Sequence, residues 1–150
     1  MAIERTLVLI KPDARKRRLT GLAIDRLDAT GLEMTAAKVV SVSDELAREH
    51  YIMLKDKPFY ADLVRFLKGE FHNIPESRIL ALVYEGESAV AVVRKAAGAT
   101  HPDEADAGTI RNSFGKIGSR GLYENTIHAS SDPAEAEREI NLWFRLGEIS

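Results

Sequence analysis

A short, nearly continuous apolar run near the N-terminus constrains the fold of this chain most strongly. Residues Arg5 to Ile10 (R-T-L-V-L-I) are rich in β-branched and aliphatic side chains, and almost all of them are apolar. Such a run predicts a buried strand in the centre of a sheet. Lys11-Pro12-Asp13 ends the strand, because proline cannot donate to a strand ladder.

The remaining periodicity predicts strands that alternate with helices. Further strands are predicted at 33–42, 79–84 and 122–127, and helices at 20–31, 43–51, 60–69, 88–97 and 132–144. The first helix should turn Leu22, Ile24 and Leu27 inward. This order favours an α/β (α+β) fold, in which helices cover one face of an antiparallel or mixed sheet in a split β-α-β arrangement.

Two segments lack clear periodicity. Residues 70–78 are polar and contain a proline, which indicates a surface excursion. Residues 98–121 carry five glycines, and the run Gly115 to Gly121 within them matches no phosphate-binding template. A long irregular loop such as 98–121 is either functional or a sign of a missed element, and for the run Gly115 to Gly121 a mobile loop is the preferred interpretation.

Composition limits the classes of protein that the chain can belong to. At 150 residues it is predicted to form one domain, residues 1–150, and its net charge of −2 argues against nucleic-acid binding driven by bulk charge. The absence of cysteine excludes thiol catalysis, disulfides and cysteine-ligated zinc. The few apolar residues before Lys11 are too short for a signal peptide or a membrane span, so a cytoplasmic location is predicted.

One histidine stands at a position where chemistry is expected. His128 follows an apolar run and precedes a strong helix start, with Asp132 as N-cap, Pro133 at the first helical position and Glu135 as a possible capping-box partner. The positive end of the helix would favour an anion, and a neutral, oriented imidazole can act as a nucleophile. A partly buried histidine bonded at a turn is the alternative for this stretch alone.

Cationic and polar side chains elsewhere could bind a polyphosphate. Lys11 ends the first strand, Arg94 lies on a predicted helix, and Thr100 and Arg111 lie in the irregular region. Each alone is more often a solvated residue, but together they supply donors for phosphate oxygens. The run Arg15 to Arg18 is interpreted as an exposed face or a minor anion site. No histidine spacing supports a metal site, and Tyr51 and Phe59 by themselves would be core aromatics.

Eight short motifs, in order and with compatible spacing, resemble the nucleoside diphosphate kinase family over nearly the whole chain. They are E-R-T-L-V-L-I-K-P-D (4–13), E-H-Y (49–51), K-P-F (57–59), V-R-K (93–95), G-A-T-H-P (98–102), G-T-I-R (108–111), N-T-I-H-A-S (125–130) and E-R-E-I-N-L-W-F (137–144). The resemblance implies a ferredoxin-like βαββαβ core with a four-stranded antiparallel sheet, extra helices and a long loop. It also implies ping-pong transfer of a γ-phosphate to a nucleoside diphosphate through a phosphohistidine.

The resemblance also implies roles for individual residues. His128 would be the nucleophile, supported by Ser130 and Glu139, with Tyr51 close by, and Lys11 would also belong to the catalytic residues because it serves the phosphate. The nucleotide-binding residues would be Lys11, Phe59, Arg94, Thr100, Arg111 and Asn125. Phe59 would stack on the base, which predicts broad base tolerance because every base has a π-face. Mg²⁺ would be held by the phosphates rather than by protein side chains. A homo-oligomer, either hexamer or tetramer, is implied, with no membrane or specific nucleic-acid partner.

The chain departs from the family pattern at several positions. Alanine replaces a usual glycine at Ala14 and Ala129, arginine replaces a common glycine at Arg18, and Ala107 stands where proline is usual. Asn112-Ser113 replaces a usual Gly-Asp, and residues 69–78 and 112–124 are longer than usual. A non-catalytic nucleotide-binding member of the same fold is therefore an alternative. An RNA-binding module of similar topology is a third interpretation, although the strands lack the aromatic residues that it needs.

Overall fold

The computed structural model describes residues 3–118 and 121–150, so Ser119 and Arg120 of the glycine-rich run lie outside the described residues. The strands are β1 Ile3–Ile10, β2 Glu33–Ser41, β3 Arg78–Glu87, β4 Lys116–Ile117, β5 Tyr123–Glu124 and β6 Ile127–Ala129. The helices are α1 Pro12–Lys16, α2 Thr20–Asp28, α3 Asp44–His50, α4 Tyr60–Leu67, α5 Ala89–Ala97, α6 Ile110–Phe114 and α7 Pro133–Trp143. Four short 3₁₀ turns occur at Ile52–Leu54, Pro75–Ser77, Pro102–Glu104 and Leu146–Glu148.

The main sheet has four strands in the order β2-β3-β1-β6, and every neighbouring pair is antiparallel. The predicted central strand is confirmed, because β1 lies between β3 and β6 and its residues Leu7 to Ile10 are completely buried. Leu9 pairs with Ala81 on one side and with His128 on the other. The sheet thus fixes the backbone of His128 directly beside the core.

Helices cover both faces of this sheet, so the expectation of one covered face is wrong. Leu7 and Leu9 pack with Ile140 and Trp143 of α7 in one apolar cluster. Val8 and Ile10 belong to a second cluster, which also contains residues of α2 and α5. Successive side chains of a strand point to opposite faces, and in β1 both sets are apolar, so both faces require cover.

The predicted fourth strand at 122–127 is divided in the structure. β5 pairs only with β4 in a separate hairpin, whereas β6 joins the main sheet. Between them Thr126 has a φ of 78°, and its N–H donates to Asp13 Oδ2 at 3.0 Å. This left-handed residue interrupts the strand conformation and places His128 on a strand rather than after one.

Local details correct two further expectations and show how α5 begins. Leu22 of α2 is 51% exposed, and Ala23 is buried instead. Ser88 precedes α5, but its side chain forms no cap, and the N–H of Val90 donates to the Glu4 carboxylate at 3.2 Å. The irregular region 98–121 contains the helix α6, which is too short to produce a visible periodicity.

The start of α7 follows the sequence prediction in part. Asp132 Oδ1 accepts a hydrogen bond from the Glu135 N–H at 2.8 Å, which confirms the N-cap. The Glu135 carboxylate binds Arg138 instead of closing a capping box. The buried face contains Ala136, Ile140 and Trp143, as the spacing predicted. Among the described residues, no helix has the length and apolar character needed to cross a membrane.

Replacement of Arg18 by glycine is expected to stabilise the protein. Arg18 has a φ of 60°, a conformation that costs an L-residue roughly 1–2 kcal/mol, whereas the extra chain entropy of unfolded glycine costs roughly 0.5–1 kcal/mol. Arg18→Gly should therefore raise the free energy of unfolding by roughly 0.5–1 kcal/mol, measured by urea denaturation. Gly31→Ala is the matched control and should lower the free energy of unfolding, because Gly31 has a φ of +84° that alanine adopts only with strain. An equal loss of stability in both variants would contradict the backbone argument.

Candidate active site

A single cleft of about 550 Å³ collects eight of the side chains that the sequence singled out. They are Lys11, Tyr51, Phe59, Arg94, Thr100, Arg111, Asn125 and His128. The remaining two, Ser130 and Glu139, lie behind His128 and are buried. The structure therefore brings together all ten predicted site residues, although they come from eight separate motifs of the chain.

His128 is held from behind by a carboxylate. Its Nε2 lies 2.8 Å from Glu139 Oε1, and the same oxygen accepts the Ser130 hydroxyl at 2.8 Å. The Leu7 N–H donates to the Ser130 hydroxyl oxygen at 3.1 Å, so the network is anchored to the central strand. The histidine side chain is 18% exposed and the Glu139 side chain 5%. The imidazole is thus fixed at one nitrogen and open to the cleft.

The charge of Glu139 decides which nitrogen of His128 carries the proton. Burial would raise the pKa of Glu139, but the hydrogen bond and charge of His128, the Ser130 hydroxyl and Arg138 together hold that pKa below its usual value. An ionised carboxylate only accepts hydrogen bonds, so Nε2 must be the protonated nitrogen. In the neutral ring, Nδ1 then carries the lone pair, and no described residue occupies it with a hydrogen bond.

Glu139→Gln is expected to slow the reaction of His128 without displacing it. The amide can still occupy the site, but it can bind either tautomer and does not stabilise a positive ring. If His128 carries phosphate, as the family resemblance implies, we expect the rate of transfer to fall about 10- to 100-fold, by analogy with other carboxylates that orient histidines. Rapid-quench measurement of His128 phosphorylation tests this. Ser130→Ala keeps the carboxylate and should lose less activity, and a larger loss than in Glu139→Gln would contradict the assignment.

A second histidine supports the ring of His128 from the side. The ring of His50 stacks edge to face on His128 with centroids 4.5 Å apart, and the Trp143 indole N–H donates to His50 Nδ1 at 3.0 Å. Burial, His128, Arg138 and Lys11 lower the pKa of His50, so it remains neutral. His50, His128 and Glu139 place donor atoms within 4.8 Å of one another. Linear spacing missed this cluster because 77 intervening residues separate the two histidines.

Lys11 places its ammonium group at the floor of the cleft. Nζ donates to Asn125 Oδ1 at 2.7 Å and to the Tyr123 carbonyl at 3.2 Å, and it lies 4.8 Å from the centroid of the Phe66 ring. Burial lowers the pKa of Lys11 to about 8, with Arg111 acting in the same direction and Asp13 and Glu124 against it. Because burial removes water from this cation, an anion that binds in the cleft would stabilise its protonated form.

Arg111 is a second cation held in a fixed orientation. Its Nη1 donates to the Gly98 carbonyl at 2.8 Å and its Nη2 to the Ile127 carbonyl at 3.0 Å, whereas the buried Nε has no partner. Burial and the nearby Arg94 lower the pKa of Arg111 to about 10. Gly98 is required here, because a Cβ at this residue would lie 2.5 Å from the Thr109 hydroxyl oxygen. Two like-charged groups at one wall favour an anion between them.

Apolar side chains also line the cleft. Phe59 is 43% exposed, and Leu54, Leu63 and Phe66 line the cleft with it. The Tyr51 hydroxyl lies deeper, where burial and the charges of Glu139 and Asp13 raise its pKa and keep it protonated. The cleft thus offers both a partly exposed aromatic ring and buried positive charge. This arrangement suits a ligand with an aromatic ring and an anionic chain.

Sequence reasoning missed several residues of this site. Asp13 holds the turn at Thr126 by a side-chain hydrogen bond, and its other oxygen is buried without a partner. Phe66 and Tyr123 contact Lys11, and Leu63 lines the apolar wall. The motif K-P-D pointed to Asp13. No signal in the sequence pointed to Tyr123, because its contact depends on the hairpin of β4 and β5.

Comparisons with known proteins agree with this geometry. A family model described as "Nucleoside diphosphate kinase" matches residues 4–149. A nucleoside diphosphate kinase from Symbiobacterium thermophilum is 44% identical over 147 residues, which are 98% of this chain and 89% of the relative. A crystal form of the Aquifex aeolicus nucleoside diphosphate kinase superposes with a TM-score of 0.87 at 35% identity, covering 99% of this chain and 100% of the other.

A second solved structure is similar to the same extent. It is a transition-state mimic of the Borrelia burgdorferi nucleoside-diphosphate kinase with bound vanadate and ADP. Its TM-score is 0.86 at 35% identity, and the match covers 99% of this chain and 90% of the other.

Proposed function

Since the chain belongs to the nucleoside diphosphate kinase family, whose members transfer phosphate through a phosphohistidine, we propose that His128 is its phosphate carrier. The enzyme is a phosphotransferase that acts on nucleoside triphosphates and diphosphates. The observation that carries the assignment is the orientation of His128, which is bound at Nε2 by Glu139 and open at Nδ1 on a cationic cleft.

The proposed reaction has two steps that mirror each other. Nδ1 of His128 attacks the γ-phosphorus of a nucleoside triphosphate, the N–P bond forms, and the bond to the β–γ bridging oxygen breaks. The nucleoside diphosphate leaves with that oxygen. A terminal phosphate oxygen of a second nucleoside diphosphate then attacks the phosphorus and releases the histidine. During both steps Nε2 retains its proton, and Glu139 stabilises the positive charge of the phosphorylated ring.

The cationic residues stabilise the phosphoryl group during transfer. Lys11, Arg94 and Arg111 line the same cleft as His128, together with Thr100. Hydrogen bonds hold Lys11 and Arg111 in position before a ligand arrives, so these two cations stabilise charge with little further reorganisation. Because donor and acceptor use the same cleft in turn, two polyphosphates never need to be bound together. Lys11 and Asn125 are proposed to contact the ribose, and Lys11 also the phosphate.

The proposed base contact is compatible with broad specificity. Phe59 is partly exposed at the entrance, where a base could stack on its ring. Stacking requires only a π-face, which purines and pyrimidines share. No charged side chain other than Asp62 lines this apolar side, so few groups are available to read the edges of a base.

The cleft could hold Mg²⁺ only if nucleotide phosphates supplied most of its oxygen ligands. Among the described lining residues, Asp62 is the one carboxylate, and the others at the phosphate end are cations, a threonine and a histidine. Such a set does not form an oxygen cage for a magnesium ion. When bound, Mg²⁺ would neutralise phosphate oxygens. The residues of the protein bind the phosphates and orient the nucleophile.

Phosphate labelling tests the proposed carrier directly. The protein is incubated with ATP labelled at the γ-phosphate, quenched in alkali and digested. We expect an alkali-stable, acid-labile label on the peptide that contains His128, and its release when GDP, CDP or UDP is added. Absence of label, or label on another residue, would overturn the proposal.

Several related statements stay predictions. We propose that residues 1–150 act as one catalytic domain, that the chain assembles as a hexamer or tetramer, and that it works in the cytoplasm. No membrane or specific nucleic-acid partner is expected. Light scattering of the purified protein distinguishes the two assemblies.

A further inference from the structure

Two segments outside the predicted site meet beside the cleft. Residues 69–78 form a surface excursion after α4, and β5 lies at the end of the segment 112–124. His72 Nε2, in the first segment, lies 2.8 Å from Glu124 Oε1 in the second. The side chains are only 15% and 13% exposed. A shielded pair of this kind joins segments that are 52 residues apart in the sequence.

Both members of this pair contact residues that hold Lys11. Glu124 lies between Tyr123 and Asn125, whose carbonyl and side-chain oxygens accept hydrogen bonds from Lys11 Nζ. The ring of His72 stacks edge to face on Phe66 with centroids 5.1 Å apart, and the same Phe66 ring lies under Lys11 Nζ. The pair therefore supports the ammonium group from two directions, through β5 and through α4.

Asn125 and Thr126 anchor the backbone on one side of Glu124, but the hairpin on its other side is short. The hairpin of β4 and β5 pairs only Lys116 with Glu124 and Ile117 with Tyr123, which is too short to be stable alone. The Nδ1 atom of His72 is buried without a partner, so the bond to Glu124 is the only hydrogen bond of that ring among the described residues. Loss of either partner would leave a shielded polar group unpaired, which favours rearrangement of the hairpin.

We propose that the His72–Glu124 pair positions Lys11 for phosphate transfer by joining residues 69–78 to β5. His72 and Glu124 do not line the cleft, so they act as positioning residues and not as catalytic ones. The inference rests on the proposed function, in which Lys11 contacts the nucleotide phosphates. A displacement of a reacting or charge-stabilising group by about 1 Å can lower a rate about a hundredfold, so a tie of this kind can be functionally important.

A double-mutant cycle separates positioning from general destabilisation. The second-order rate constant of His128 phosphorylation by ATP is measured for wild type, His72→Ala, Lys11→Ala and the double variant. We expect His72→Ala to lower this constant about tenfold when Lys11 is present, and less than about twofold when it is absent. His72→Gln should restore most of the rate, because its amide can donate to Glu124 in place of Nε2.

The matched control removes another ion pair that involves the same excursion. Arg65 and Glu70 join α4 to residues 69–78 at 3.4 Å, but both are exposed and neither lines the cleft. Arg65→Ala should leave the rate constant within about twofold of wild type, as expected for a surface pair. Circular dichroism and thermal melting establish that each variant is folded. If His72→Ala does not fold, Glu124→Gln takes its place in the cycle.

The pH profile supplies a second readout. The charged groups around Lys11 are Asp13 on α1, Arg111 on α6 and Glu124 on β5, and the neutral His50 lies on α3. Since Glu124 supports the protonated form of Lys11, Glu124→Gln should move the alkaline limb of kcat/KM to lower pH. His72→Gln keeps the carboxylate and should leave the limb near its wild-type position.

The outcomes are distinct for the two proposals. If wild type acquires no label on His128, the proposed function fails. If wild type is labelled but folded His72→Ala matches it, or slows equally with and without Lys11, only the positioning role is overturned.

Discussion

Replacement of His128 by alanine is expected to lower nucleoside diphosphate kinase activity at least about 10⁴-fold, because it removes the only proposed phosphate carrier. The ring occupies a prepared place: Glu139 fixes Nε2, His50 stacks on one face, and Nδ1 meets the cleft. No other nucleophile with this support lines the cleft among the described residues. Coupled-assay turnover and phosphate labelling should both be lost.

A second substitution separates the loss of the nucleophile from the loss of structure. His128→Gln retains an N–H that can donate to Glu139, so the buried carboxylate remains paired, but its amide nitrogen is not nucleophilic. We expect it to be as inactive as His128→Ala, while its melting temperature stays closer to that of wild type. Substantial turnover by a folded His128→Gln protein would exclude the covalent mechanism.

Lys11→Gln should produce the second-largest loss, about 10²- to 10³-fold in kcat/KM. The ammonium group is buried at the floor of the cleft and is held by Asn125 and the Tyr123 carbonyl, so its charge acts where little water screens it. Lys16→Gln removes the same charge from an exposed residue of α1 and should change kcat/KM by less than about twofold. Similar losses in both variants would indicate that only the net charge matters.

The pH dependence of the free enzyme follows from the same lysine. Its pKa of about 8 implies that kcat/KM falls as the pH rises through 8, because the phosphates then meet a neutral amine. This limb should disappear in Lys11→Gln. A wild-type profile that is flat from pH 7 to about 9.5 would contradict the assignment.

The stability of the protein should respond to Lys11 in the opposite direction. The folded-state pKa of about 8 lies below the ordinary value of 10.5, so unfolding takes up a proton between these two pH values. Stability contributed by this group therefore increases with pH across that window, whereas activity decreases. Such an opposition is typical of a charge that is retained for function at the expense of stability.

Sequence predictions agreed with the structure best where a feature depends only on residues within one short segment. The central strand was evident because Leu7 to Ile10 are apolar on both faces, and the Asp132 cap was evident because its partner is three residues away. The ten proposed site residues came from motifs, and eight of them line one cleft while Ser130 and Glu139 lie buried behind His128. Their roles stay predictions until the variants are measured.

Errors arose where the conformation depends on distant partners. The strand predicted at 122–127 divides at Thr126, because Asp13 binds the backbone of that residue from another element. The cap of α5 comes from Glu4, which is 86 residues away in the sequence. Secondary-structure propensity depends on a residue and its near neighbours, so it cannot predict contacts between residues that are distant in the sequence.

The sequence by itself determined the longer elements, their order, the family resemblance and the chemical type of each candidate site residue, since these depend on local pattern. Only the tertiary structure decided that helices cover both faces of the sheet, that Glu139 leaves Nδ1 of His128 free, and that His72 meets Glu124 behind Lys11. The physical reason is that tautomer, pKa and ion pairing depend on distances of a few ångströms between side chains, and folding sets those distances.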